Sequence, residues 1–144
     1  MNSERLKPVC DVAEAREDTA LREAAAALAA LADQEQRLEE LRRYLKDYEA
    51  APGPAAISPW LLNNRRGFLA KLQQAIQHQE QVVAAARAAS EAQQSRWRLV
   101  ARDAAVLEKL AESYRGRERQ ALERAAQREL DEFALRRPAP GVEE

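Results

Sequence analysis

Few side chains in this sequence could carry out chemistry, and they are far apart. His78 is the only histidine and Cys10 the only cysteine among the 144 residues. A Cys–His nucleophile needs the thiol and the imidazole within hydrogen-bond reach, and a zinc site needs several such ligands together. The fold expected below puts the two residues on different helices and at different levels. We therefore expect neither a nucleophilic centre nor a metal site.

Carboxylates, glycines and the single cysteine also give no indication of catalysis. Carboxylates are abundant, but acid–base catalysis needs an enclosed cleft that shifts their pKa values, and a pair of helices encloses none. The four glycines are isolated from one another, so the sequence contains no glycine-rich phosphate loop. A single cysteine excludes an intrachain disulfide and fits a reducing compartment. We expect a protein that is not an enzyme and that uses no cofactor.

Composition and charge narrow the class of partner. The formal net charge is −1 with 33% charged residues, which does not mark the chain as a binder of nucleic acid or of anionic membranes. No apolar run approaches the roughly 20 residues that span a bilayer, and no apolar signal region follows the first residues. We expect a soluble cytoplasmic protein that does not insert directly into a membrane.

The stretch 59–137 has no proline after its first residue and reads as one long helix. Two rows of positions recur in it every seven residues, and twelve of their sixteen members are apolar. The first row is Leu62, Leu69, Ile76, Val83, Ser90, Trp97, Ala104 and Ala111, and the second is Arg65, Leu72, Gln79, Ala86, Gln93, Val100, Leu107 and Tyr114. Such a narrow seam is typical of a helix that pairs with another helix.

A partner helix precedes this stretch in the same chain. Its two rows are Cys10, Glu17, Ala24, Leu31, Leu38 and Leu45, and Ala13, Ala20, Ala27, Gln34, Leu41 and Tyr48. Prolines and a glycine cluster between residues 50 and 59, so the chain turns there. The pattern predicts an all-α fold, a long antiparallel two-helix coiled-coil hairpin with unequal arms, as a single domain.

The expected boundaries follow from the helix start and stop signals. Helix 1 is expected at about 8–49, with Pro8 in its first turn, and the turn at 50–59. Helix 2 is expected at about 59–137, followed by a disordered tail at 138–144. If the chain turns at 50–59, Gln34 lies near the level of Gln79, and the two amides could form a polar layer that fixes the register.

Charge and arm length carry further expectations. Residues 1–50 have a net charge of −4 and residues 60–107 a net charge of +4, which favours pairing of the two arms modestly. The same register puts Cys10 near residue 99, so residues from about 101 to 137 extend past the first helix. Apolar side chains on that uncovered part predict a protein partner. We expect Leu122, Leu130 and Phe133 among them to engage it.

Bulky aromatic residues lie beside the seam near the turn. Two apolar stripes run level with each other on the facing helices around Tyr44 and Phe68. Their members are Leu41, Tyr44 and Tyr48 on the first helix, and Phe68, Leu72 and Ala75 on the second. The stripes are either a widened core or a partner-docking patch, and the pattern does not separate the two. Trp60 beside the turn and Trp97 in the seam are both expected to pack as core residues.

The arrangement resembles the FliJ family of flagellar export proteins over almost the full length of the chain. Heptads carry little of this resemblance, because coiled coils share composition. More specific are Tyr44-x-x-x-Tyr48 before the turn, Phe68-x-x-x-Leu72-x-x-Ala75 after it, and Asp131-Glu132-Phe133-Ala134 near the end. The chain departs from the family pattern at Arg37, where glutamine is common, and at Gln79, where histidine is common.

The resemblance implies a coiled coil similar to the rotor stalk of rotary ATPases, placed in the centre of the hexameric flagellar export ATPase. Family members also contact the membrane export gate and handle export chaperones, so a cytoplasmic protein peripherally associated with the inner membrane is implied. The resemblance assigns the two apolar stripes around Tyr44 and Phe68 to contact with the export gate. The end of helix 2 is assigned to the ATPase ring by its uncovered stripe together with this analogy.

Other functions fit the same pattern. A related stalk protein of a virulence-type secretion system would look alike. A generic coiled-coil chaperone or dimerisation module would differ in forming a dimer at micromolar concentration. An enzyme or a nucleic-acid binder ranks last, and a steep salt-dependent affinity for DNA would be needed to favour nucleic-acid binding.

Overall fold

The computed structural model describes residues 3–51 and 58–136. Helix α1 is Ser3–Ala50, with 48 residues, and helix α2 is Pro59–Arg136, with 78 residues. No strand occurs in these two ranges. The prediction of an all-α chain with two long helices that pack against each other is confirmed. The expected tail at 138–144 and most of the expected turn at 50–59 lie outside the described residues.

The first helix starts earlier than predicted. It begins at Ser3 and not near Pro8, which lies inside it. The Ser3 amide donates to Glu118 Oε1 at 2.6 Å and its hydroxyl to Glu118 Oε2 at 2.7 Å. These bonds give a partner to one of the amides that a helix start leaves unpaired. Pro8 lacks an N–H group and therefore deprives only the carbonyl of Glu4 of its bond, a small loss so near the end.

The second helix starts where the sequence predicts. The Leu61 amide donates to Ser58 Oγ at 3.2 Å, and the Leu62 amide donates to the Ser58 carbonyl at 3.0 Å. Ser58 is thus the capping residue of α2. Pro59 follows as the first helical residue, where its missing N–H costs nothing. At the end of α1, the Ala51 amide still donates to the Asp47 carbonyl at 3.1 Å.

The chain packs as two compact units, and both helices contribute to each. The middle unit is Asp18–Leu99, and the terminal unit combines the residues up to Glu17 with those from Val100 onward. The core of the middle unit is Leu38, Leu72, Ile76 and Val83, with Leu31, Leu41 and Leu45 packed against it. Elsewhere in this unit the buried residues are small, namely Ala20, Ala24 and Ser90. In the terminal unit Leu6 and Ala111 are buried.

Burial follows the heptad pattern along both helices. All twelve predicted seam positions of α1 and all sixteen of α2 are buried or half-buried. Because apolar side chains every seven residues face one stripe of each helix, the two helices can cover only that stripe. The seam is therefore confirmed residue by residue.

The polar layer of the seam is also confirmed. The Gln79 side-chain amide donates to Gln34 Oε1 at 2.8 Å and to the Gln34 carbonyl at 3.0 Å. Exposed ion pairs join the helices on either side of this layer, with Arg42 and Glu80 at 3.1 Å and Arg87 and Glu35 at 3.1 Å. A third such pair joins Arg96 and Glu23 at 3.6 Å. Each of these exposed pairs contributes only about 0.2–1 kcal/mol.

The register of the terminal unit differs from the expected one. Cys10 Sγ lies 3.7 Å from the carbonyl of Leu107, not level with residue 99. Since Ser3 reaches Glu118, the first helix accompanies α2 much further than expected. The prediction that α2 is uncovered from about residue 101 is wrong, and the continuously exposed part is 119–136. The heptad repeat does not prevent this difference, because a shift by about one heptad keeps apolar positions facing each other.

The two tryptophans differ in burial. Trp60 is 72% exposed, so its expected core role is wrong. Trp97 is half-buried in the seam as expected, but its indole Nε1 is buried without a hydrogen-bond partner. The side-chain oxygen of Gln93, one turn earlier, is in the same condition. Separately, none of the described helices is long and apolar enough to cross a membrane.

Gln79→Ala tests the polar layer. The substitution removes the donor and leaves a half-buried Gln34 amide unpaired, so the free energy of unfolding should fall by about 1–3 kcal/mol. Urea denaturation followed by circular dichroism measures it. The control is Gln36→Ala, because Gln36 bonds only Glu40 on the surface, at 3.3 Å, and should cost less than about 0.5 kcal/mol. Equal losses for the two variants would contradict a role of the layer in stability.

Candidate functional site

Three aromatic rings meet across the two helices in the middle unit. The rings of Tyr48 and Phe68 lie 4.7 Å apart between centroids, tilted by 46°. Tyr44 approaches Phe68 edge-on, at 6.2 Å and 65°. The Arg65 guanidinium lies 5.6 Å from the Tyr48 centroid. We call Tyr44, Tyr48 and Phe68 the aromatic patch.

Helical spacing and the core beneath position the patch. Tyr44 and Tyr48 are four residues apart on α1 and therefore share one face. Leu41 and Leu45 on α1 pack against the cluster that contains Leu72 of α2. Tyr44 remains 55% exposed and Phe68 40% exposed, although each ring touches another. Aromatic rings held on a packed base yet half open to solvent are a common composition of binding hot spots.

The six residues predicted for export-gate binding differ in their exposure to solvent. Leu72 is buried at 8% exposure and belongs to the core. Leu41 is half-buried against the same core, and Tyr48 is half-buried in the patch. Ala75 is exposed and lies two turns after Phe68 on α2. The widened core and the exposed patch are thus both present, one on top of the other, while the role in binding remains a prediction.

Arg65 is a neighbour of the patch that sequence reasoning missed. It occupies a seam position, where a charged residue is unexpected. Its guanidinium sits over the Tyr48 ring, a cation–π contact of about 0.5–1 kcal/mol at an exposed site. The available signal was a positively charged residue in a mostly apolar row, close to tyrosines on the facing arm.

The far end of α2 carries the second predicted site. Leu122, Leu130 and Phe133 are 71%, 62% and 67% exposed. Their spacing puts them on one helical face, and every residue from 121 to 136 is exposed. Leu135, at 86% exposure, was not predicted and points to a different face by its spacing. The three predicted residues thus form an uncovered stripe.

Glu118 joins the start of α1 to α2 shortly before this stripe. The Ser3 hydroxyl, and then the Ser3 amide, donate hydrogen bonds that hold the pKa of the Glu118 carboxyl below its usual range. Charged carboxylates are favoured at a helix start, where amide groups point outward. The contact therefore fastens the start of α1 to α2.

The residues with catalytic chemistry are not brought together. His78 is exposed in the middle unit, and Cys10 is half-buried in the terminal unit. Within residues 3–51 and 58–136, no group of three or more His, Cys, Asp or Glu side chains could hold a metal ion.

Comparison with known proteins identifies a family. The family model described as flagellar FliJ protein matches residues 1–141. No curated protein and no solved structure was found to match the chain.

Ser3→Ala tests the fastening of α1 by Glu118. A carboxylate with a lowered pKa stabilises the fold above the ordinary glutamate pKa of about 4.3, and this contribution is lost as the pH falls through the lower folded-state pKa. Without the serine hydroxyl, the pKa of Glu118 should rise, and the first amides of α1 should exchange faster with solvent. Side-chain carboxyl NMR titration and hydrogen exchange measure these effects.

The matched control is Ser58→Ala, which removes the cap of α2 and does not touch Glu118. It should leave the titration of Glu118 unchanged. An unaltered Glu118 titration in Ser3→Ala would show that the serine does not hold the carboxylate in solution.

Proposed function

The chain belongs to the flagellar FliJ protein family, and from this we propose that it is a stalk protein that couples the export ATPase to the membrane export gate. Family membership makes it a helical protein associated with flagellar export. The finer proposal is that one end of the helix pair sits in the hexameric export ATPase while another surface contacts the gate. In this role the protein hydrolyses nothing itself.

The observation that carries the proposal is the aromatic patch. Its rings are packed on a leucine base and are still half exposed, so a partner could bury them without reorganising the core. We assign Tyr44, Tyr48 and Phe68 to direct contact with the gate. Leu41 and Leu72 support the rings from beneath, and Ala75 extends the surface along α2.

The uncovered stripe supports the second contact. Leu122, Leu130 and Phe133 have no covering helix within the described chain, and large exposed apolar residues on one face favour a protein partner. The region between 108 and 137 has eight basic and seven acidic residues and therefore almost no net charge. This balance favours a protein surface over a phosphate backbone as the partner. We assign the stripe to the ATPase ring.

The rest of the proposal follows the family. We propose that the protein also handles export chaperones and that it is cytoplasmic, peripherally associated with the inner membrane at the export apparatus. A virulence-type stalk protein is the alternative within the same class. A dimerising coiled coil is the alternative of another class, and the uncovered stripe is the observation that favours it, since two copies could pair there.

Tyr44→Ala and Phe68→Ala test the gate contact. Loss of an interface aromatic costs about 2 kcal/mol or more, so affinity for the purified gate domain should fall roughly thirtyfold. Isothermal titration calorimetry measures it, with circular dichroism as the check on folding. Trp60→Ala is the matched control, because Trp60 is an aromatic of the same unit that is 72% exposed outside the patch. Unchanged affinity in both patch variants would refute the assignment.

Leu130→Ser combined with Phe133→Ser tests the ring contact. Stimulation of the purified export ATPase should be lost, because the stripe loses its apolar side chains, and deletion from Arg128 onward should have the same effect. Steady-state ATP hydrolysis measures it. Leu135→Ser is the control on another face of the same turn. Full stimulation by the deletion variant would count against the assignment, and a dimer found by sedimentation only with the intact stripe would favour the dimerisation alternative.

A further inference from the structure

An open groove lies between the two helices in the terminal unit, and each helix forms one of its walls. Its volume is about 570 Å³. The wall from α1 includes Val9, Val12 and Arg16, and the wall from α2 includes Val100, Asp103 and Leu107. None of these residues belongs to the aromatic patch or to the uncovered stripe. The groove is thus a further open surface of the chain.

Large apolar side chains in both walls are exposed to solvent. In α1, Val9 is 47% and Val12 is 52% exposed. In α2, Val106 is 59% and Leu110 is 42% exposed. These two lie three and seven residues after Asp103 and therefore on the same face of the helix. Contacts within the chain leave all four side chains about half uncovered.

Each wall also carries one charge, and the two charges have opposite signs. Arg16 lies on α1 and Asp103 on α2, and both are exposed. Among the described residues neither has a salt-bridge partner, although the two line the same groove. An apolar helix laid in the groove would bury both charges unpaired, which is costly. A helix with charges of one sign would repel one of the two.

The two walls correspond to each other level by level. The helices run in opposite directions, as the contacts of Ser3 with Glu118 and of Cys10 with Leu107 show. Along the groove, each wall therefore presents first a charge, then a valine, then a second apolar residue. The order is Arg16, Val12 and Val9 on α1, and Asp103, Val106 and Leu110 on α2. Such a surface is complementary to a copy of itself.

We propose that this groove is the contact surface of a symmetric dimer of the chain. A two-fold axis along the groove puts α1 of one copy on α2 of the other and keeps the levels aligned. Arg16 of each copy then meets Asp103 of the other, and the valines of the two copies pack together. In a two-fold interface each contact occurs twice, so all four charges gain a partner. Neighbouring helices run in opposite directions, as in an up-and-down four-helix bundle.

Size and charge determine the strength of this dimer. The three levels extend from Asp103 to Leu110, about 10 Å of helix, so the interface is small and the dimer should be weak and reversible. Two copies repel each other little, because the net charge of the chain is −1. The proposal does not depend on the proposed stalk function. It also differs from dimerisation through the uncovered stripe, because it uses other residues.

Charge reversal in the full chain tests the dimer. Arg16→Asp puts acids against acids at the charged level, and Asp103→Arg puts bases against bases. Each variant alone should weaken dimerisation by tenfold or more. An equimolar mixture of the two variants should form heterodimers with roughly wild-type affinity, because each chain supplies the charges that the other needs. Sedimentation equilibrium from micromolar to millimolar concentration measures the pairing.

Two controls locate the contact. Arg102→Asp reverses the charge of an exposed residue of α2 that does not line the groove, and it should leave dimerisation unchanged. Leu130→Ser combined with Phe133→Ser removes apolar side chains from the uncovered stripe and should also leave dimerisation unchanged. Every residue replaced in these variants is exposed, so circular dichroism should show the helix content of the wild type throughout.

Several results would overturn the proposal. They are a wild-type chain that stays monomeric up to millimolar concentration, single charge variants that dimerise as well as the wild type, and a mixture of the two that does not associate. An equal loss in Arg102→Asp, or loss of the dimer in the stripe variant alone, would also overturn it. None of these measurements involves the export ATPase or the gate, so failure of the dimer leaves the stalk function to its own tests.

Discussion

Everything in this structure depends on a narrow seam between two helices. Among the described residues only eight hydrophobic side chains are buried, and three of these are alanines. Such a seam holds little apolar area, so each large member matters, and truncation of a buried leucine typically costs about 2–5 kcal/mol. The thickest part is the cluster around Leu38 and Leu72. The thinnest is the alanine section, where Trp97 and Gln93 each leave a buried polar atom unpaired.

A two-helix seam has a second consequence, which concerns the surface. Each helix can cover only one stripe of its partner, so any further apolar residue on either helix stays in water. The aromatic patch and the stripe around Leu130 are two such surfaces. In a thicker bundle, further helices would cover them. The contacts proposed for this member of the flagellar FliJ protein family use surfaces that a two-helix fold leaves open.

Sequence reasoning identified much of the candidate site but not its internal arrangement. Helical spacing was enough to place Tyr48 in the seam and Tyr44 and Phe68 beside it, because positions next to a heptad row must lie at its edge. It did not decide whether the rings beside the seam are buried in a widened core or stay exposed, since that depends on how the facing residues pack. Arg65 was missed for the same reason, because a cation over a ring depends on the geometry of both helices.

The sequence by itself determined the class of fold, the seam residues and the pairing of Gln34 with Gln79. In a helix, an apolar repeat of seven residues indicates a stripe that packs against another helix. The repeat can be recognised from each helical stretch alone, without knowledge of the rest of the fold. The tertiary structure decided the register in the terminal unit, where Cys10 meets Leu107, and with it the length of α2 that stays uncovered. The repeat is nearly the same after a shift of one heptad, so the apolar pattern alone does not select one alignment, and the bonds of Ser3 with Glu118 belong to the alignment that the structure shows.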